Sequence, residues 1–110
     1  MVAVLALLAF APSSASAATG ITVNSTTDAP LETFSTTCTS TDPAEDCTLR
    51  AAVELANTES EDSGEQVTVD VPAGVYTEEL GSLFIVSDAS VAIDGAGAGK
   101  TIIDGATKTA

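Results

Sequence analysis

Three features predict a mainly β chain: the start of a parallel solenoid, capped by one short α-helix and a cysteine loop. Short strands recur at an interval of 24 residues, glycine and Asp-Gly turns lie between them, and one amphipathic helix precedes them. Val67 and Val69 carry the interval, recurring as Val91 and Ile93. No helix-length segment separates the strands from Gln66 onward, which excludes ordinary βαβ units. Asp94-Gly95 and Asp104-Gly105 also suit two-residue hairpin turns, so a flat antiparallel sheet is the alternative.

Residues 1–17 read as a secretory signal. Met1 to Phe10 is an apolar run, broken by Pro12, and Ala15-Ser16-Ala17 fits the small-x-small rule for cleavage after Ala17, with one residue of slack. A spanning helix needs ~20 apolar residues, about twice this run. No Lys or Arg stands ahead of it, so a longer signal sequence with a basic start is expected. The mature chain from residue 18 then divides in two. Residues 18–65 form an N-terminal cap, and 66–110 form about the first two coils of a longer chain, cut short.

Within the cap, Ile21-Thr22-Val23 is a short strand. Residues 24–47, rich in Ser, Thr, Asp and Pro, read as a long loop; Asn24-Ser25-Thr26 is a formal glycosylation sequon. Cys38 and Cys47 are the two cysteines of the chain, and in an oxidising compartment they are expected to pair. Closing so short a loop contributes about 2–3 kcal/mol. Acidic Glu45 and Asp46 beside Cys47 argue against a reactive thiolate.

The helix is expected over 48–57, capped by Asp46 or Thr48. Leu49, Ala52, Val53 and Ala56 fall on one apolar face, which should lie against Val67, Val69 and Val71 of the first coil. Arg50 and Glu54 are spaced for an i,i+4 pair, and Asn57 suits a terminator. Glu59 to Glu65 reads as an acidic linker. Strands are expected at Val67–Val71, Val75–Thr77, Leu83–Val86, Val91–Ile93 and Thr101–Ile103.

The charge balance narrows the function. Three basic residues against 16 acidic ones give a net charge of −13, and there is no His. Nucleic acid and anionic lipid would be repelled. Ser-His-Asp and Cys-His nucleophilic sites cannot be built, and zinc clusters are excluded. Neither a cofactor nor membrane insertion after signal removal is expected.

Several motifs taken together resemble a known family. Cys47-Thr48-Leu49-Arg50-Ala51-Ala52-Val53-Glu54-Leu55-Ala56-Asn57 is similar to the Cys-Ser-Leu-Arg-Glu-Ala motif of the CSLREA domain, with Thr48 for Ser and Ala51 for Glu. Thr22-Val23-Asn24, Pro72-Ala73-Gly74-Val75-Tyr76 and Ile93 to Gly105 resemble that family's other segments, so the likeness covers roughly 21–105. It implies the N-terminal cap of a right-handed parallel β-helix in an exported bacterial surface or adhesin-like protein. It implies no reaction. The expected partner is the downstream coils of the same longer chain, with a host or carbohydrate ligand left open. The expected location is secreted or cell-surface. One alternative is the N-terminal fragment of a carbohydrate-active β-helix enzyme whose catalytic coils lie beyond residue 110. Another is a free-standing acidic binding module.

Two patterns invite other readings. Gly95 to Thr101 approaches a phosphate-binding loop, but Asp94 occupies the position of its first glycine and a strand follows in place of a helix. Asp70, Glu78, Glu79, Asp88, Asp94 and Asp104 are candidate carboxylates for glycosidase or calcium chemistry. Adjacent Glu78 and Glu79 point to opposite faces of a strand, and no EF-hand loop or calcium-binding nonapeptide is present.

Overall fold

A computed structural model describes residues 19–105; the expected signal segment 1–17, Ala18 and the tail 106–110 lie outside the described residues. Five short strands and one helix follow in the order β1 (Thr19–Thr22), α1 (Leu49–Ser63), β2 (Val67–Val71), β3 (Gly74–Thr77), β4 (Val91–Gly95) and β5 (Thr101–Asp104). They form two small sheets, β1-β2-β4 and β3-β5, and among the described residues neither closes into a barrel.

Every pairing of named strands is parallel, which removes the antiparallel alternative. Val67 faces Val91 and Val69 faces Ile93, so the residues that recur in sequence are neighbours across the sheet. Ile21 lies opposite Val69 on the other side. The Asp-Gly pairs do not make hairpins. Gly95 ends β4, and Gly97 and Gly99 take positive φ in the turn that leads to β5.

The apolar core sits between the three-stranded sheet and α1. Along β2, Val67, Val69 and Val71 are buried while Thr68 and Asp70 are half-buried, the period-two pattern of a strand with one face inward. Leu49, Ala52, Val53, Leu55 and Ala56 join the same cluster from the helix, with Ile21, Val23, Cys47 and Tyr76. Leu55, off the stripe read from sequence, is buried too, so the apolar face is wide. The Tyr76 hydroxyl donates to the Pro72 carbonyl at 2.9 Å, satisfying its polar end.

The helix starts as its sequence suggests and ends later. Thr48 is the N-cap: its Oγ1 accepts from Ala51 N–H at 3.0 Å and donates to the Ala29 carbonyl at 2.6 Å. The expected stop at Asn57 is wrong: the helix continues through Thr58 and takes in residues 59–63 of the expected linker. The end comes at Gly64, in the left-handed conformation, whose N–H bonds the Ser60 carbonyl at 2.8 Å. Glutamate is a good helix former, so an acidic run does not break a helix by itself.

The expected strand at Leu83–Val86 is also absent. Asn57 supplies the reason. Its Nδ2 donates to the Phe84 carbonyl at 2.7 Å, and its Oδ1 accepts from Val86 N–H at 3.3 Å. A side-chain amide thus replaces a neighbouring strand as partner for this backbone.

Candidate functional site

The densest polar cluster among the described residues joins the loop after β1, the first turn of α1 and the segment after β3. Arg50 lies at its centre. The helix places Arg50 about 100° round from Leu49, at the border of the apolar face. Nε donates to Asp28 Oδ1 at 2.6 Å and Nη2 to Asp28 Oδ2 at 3.1 Å, a bidentate pair. The same guanidinium donates to the Gly81 carbonyl at 2.6 Å and the Ser82 carbonyl at 3.3 Å, and approaches Glu78 Oε1 at 3.5 Å. The side chains of Arg50, Asp28 and Glu78 are all buried.

The two carboxyls respond in opposite directions. Burial alone would raise Asp28, but the Arg50 hydrogen bond and the Leu80 N–H outweigh it and hold Asp28 below the usual carboxylate range. Glu78 is pushed up to about 6, first by burial and then by the charge of Asp28, with Arg50 opposing only in part. The expected Arg50–Glu54 pair is not made as a salt bridge. Asp28 takes the guanidinium, and Glu54 Oε1 accepts instead from the Leu31 backbone N–H at 2.7 Å.

A cleft of about 460 Å³ opens beside Arg50, lined also by Leu80 and Phe84. Arg50 is engaged by Asp28, Glu78 and two carbonyls, so its donors face protein and not the cleft. The arrangement is a clasp. It fastens the 78–84 segment to the helix, and Asn57 and Ser60 extend the attachment, Ser60 Oγ accepting from Ser90 N–H.

The sequence-selected residues fall in three places. Cys38 and Cys47 are bonded to each other, with Cα atoms 5.0 Å apart. Asn24 braces the bridge: its N–H donates to the Cys47 carbonyl and its Oδ1 accepts from Cys47 N–H, both at 2.9 Å. Leu49, Ala52, Val53 and Ala56 lie in the core. Among the carboxylates, Glu78 enters the Arg50 clasp, whereas Glu79 and Asp88 are exposed. Asp70 and Asp94 are register partners on adjacent strands, and no third ligand joins them: among the described residues no group of three or more His, Cys, Asp or Glu is placed to hold a metal ion.

The stretch resembling a phosphate loop is a turn. Lys100 N–H donates to the Gly97 carbonyl at 2.9 Å, and Thr101 Oγ1 donates to the Val71 carbonyl at 3.0 Å, docking the start of β5 beside the end of β2. No described helix is long and apolar enough to cross a membrane.

Asp28, Asn57 and Ser60 were not selected as functional from sequence. Asp28 lies in a loop without periodicity, 22 residues from its partner. One signal was available: an arginine on a helix bordering a core stripe, in a chain with three basic residues, demands a carboxylate partner. Compared with family models, curated proteins and solved structures, the chain matches none of them.

Proposed function

We propose that this chain is the N-terminal capping segment of an exported right-handed parallel β-helix protein of the surface or adhesin-like kind, with no catalysis of its own. The observation that carries the reading is an asymmetry. Ile21 of β1 and Val67, Val69 and Val71 of β2 are buried in the cluster shared with α1, whereas Ile93 on β4 and Ile102 and Ile103 on β5 are exposed, although among the described residues β1 and β3 pair along one edge only just as β4 and β5 do. Unpaired parallel edges accept further strands of the same direction, and solenoids need a terminal cap to protect the other end. The likeness of residues 47–57 to the CSLREA motif supports the same role. In this reading Leu49, Ala52, Val53 and Ala56 are the sealing face, and Arg50 and Asn57 fasten the first long loop to the seal. The Cys38–Cys47 bridge suits an oxidising, extracellular setting.

The partner is the chain's own downstream coils. The test extends 18–110 with the residues encoded after Ala110 and compares melting and amide hydrogen exchange. The cap reading expects a higher Tm and slower exchange at β4 and β5. Unchanged exchange at both strands, or a native protein whose intact mass ends at Ala110, overturns it.

A further inference from the structure

The loop after β1 combines two unfavourable features in one residue. Phe34 is 97% exposed, the most exposed of the large apolar side chains described, and its φ is 61°. Ser35 N–H donates to the Glu32 carbonyl at 3.0 Å, so Glu32 to Ser35 is a tight turn with Phe34 at its third position. Positive φ there favours glycine or asparagine, and a bulky residue is strained. Phe34 thus holds a strained backbone and sets its ring in water, and it has no part in the apolar core. Strain that the fold does not use points to contact with something outside the chain.

The tongue that carries the ring, Pro30 to Thr41, is stiff. Leu31 and Ser40 form an antiparallel bridge. Glu32 N–H donates to the Thr39 carbonyl at 2.8 Å, and Thr41 N–H to the Pro30 carbonyl at 2.9 Å. One arm is tied by Cys38 to Cys47, the other by Leu31 N–H to Glu54 on the helix. A ring at the tip of a braced turn loses little freedom when it meets a ligand.

The neighbours of the ring indicate the chemistry of that ligand. Thr33, Thr36 and Thr37 are exposed. Ser35 Oγ donates to the Thr37 carbonyl at 2.7 Å, and the Thr37 and Thr39 hydroxyls lie 3.1 Å apart. The tip therefore joins one aromatic face to a row of positioned hydroxyls, with the exposed Glu32 as its carboxylate. An aromatic face is electron-rich and attracts polarised C–H groups. Hydroxyls both donate and accept, and a carboxylate accepts. A pyranose offers the complement, a C–H face rimmed by hydroxyls. The net charge of −13 repels phosphorylated, sulfated or uronate sugars, and it equally repels a second copy of this chain.

We propose that the tip of this tongue is a binding site for a neutral sugar, with Phe34 stacking on the C–H face of a pyranose and Glu32, Thr33, Thr36 and Thr37 meeting its hydroxyls. The site shares no residue with the sealing face or the Arg50 clasp, so it stands or falls apart from the cap reading.

The test titrates the full chain with neutral oligosaccharides of glucose, mannose and N-acetylglucosamine, read by NMR. With the sugar that binds, its C–H protons should move upfield under the ring current, and the amides of residues 32–37 should shift. Phe34→Tyr should keep binding. Phe34→Leu, apolar but without a π-face, should weaken it about tenfold. Phe34→Gly should abolish binding and raise the Tm, because the strain leaves with the ring. No shift with any of these sugars overturns the proposal, as does binding that survives Phe34→Gly. A lower Tm in Phe34→Gly makes the ring a structural element and overturns it too. Sedimentation gives the last arm: self-association that depends on Phe34 assigns the tip to a second copy and overturns the sugar site.

Discussion

Val69 and Ile93 are register partners on neighbouring strands, both β-branched and both in alternating segments, yet Val69 is fully buried and Ile93 is 41% exposed. The difference lies in what surrounds them. β2 has β1 on one side and β4 on the other, and α1 packs across its inner face. β4 has β2 alone. Ile102 and Ile103 on β5, each 44% exposed, repeat the contrast. Alternation makes a strand ready to be buried, and a neighbour is needed to bury it. The helix-covered half of the molecule is thus a finished core, and the far half is a surface of the same chemistry without its cover.

The most severe way to test that contrast is one charge placed in each half. Val53→Asp sets a carboxylate against Val67 and Val69, and should cost more than about 3 kcal/mol or prevent folding. Ile93→Asp faces solvent and should cost under about 1 kcal/mol. Chemical denaturation of the two variants decides it, and equal losses would mean that the halves do not differ in closure.

Removing the clasp is the next largest change. Arg50→Ala leaves Asp28 and Glu78 buried without their cation, and a broken buried pair costs about 3–5 kcal/mol. Arg50→Lys should recover less than half of that, because an ammonium cannot bridge Asp28 and the two carbonyls in one plane. Hydrogen exchange should show the 78–90 segment opening first. Full recovery by lysine would reduce the clasp to a simple charge effect.

Reduction of Cys38–Cys47 releases the loop on the finished side and should cost about 2–3 kcal/mol. Melting with and without reductant measures it. An unchanged Tm would mean that the Asn24 brackets and the Leu31–Ser40 bridge hold the loop alone.

The smallest predicted effect is a pH dependence confined to the clasp. Glu78 is raised from 4.5 to about 6, so the folded state holds its proton more tightly than the unfolded state. Its contribution is fully present below pH 4.5 and is lost as pH rises through about 6, a total on the order of 2 kcal/mol. Asp28, lowered, works the other way and withdraws stability only as pH falls below its ordinary 3.8. Glu78→Gln should therefore gain most over the unmodified protein near neutral pH and least near pH 4.5. A constant difference in Tm across that window would remove Glu78 as the titrating group.

Local chemistry made part of this legible. Thr48 ahead of Leu49-Arg50-Ala51 is a cap that needs no distant partner, and the stripe Leu49, Ala52, Val53, Ala56 follows from helical geometry alone. Two cysteines leave one intramolecular pairing, and that bond is present. The 24-residue recurrence of Val67 and Val69 matches two register pairs, because stacked parallel strands repeat the same side-chain positions. Other features depend on contacts between segments that carry no period. The helix runs past Asn57 because that side chain holds Phe84 and Val86 and stops nothing, and Gly64 ends it about two turns later. Leu83–Val86 has the composition of a strand, but its backbone is satisfied by an amide from the helix. Arg50 is spaced for Glu54, but Asp28 offers both oxygens to the guanidinium in a buried setting and Glu54 does not. In each case residues 22–32 apart in the chain compete with a local partner and win, because burial strengthens a well-aligned polar contact that solvent would otherwise weaken. Which residues seek the core and where the strands repeat are written in the order of residues; which polar groups meet is settled by packing, since that choice is made where water has been removed.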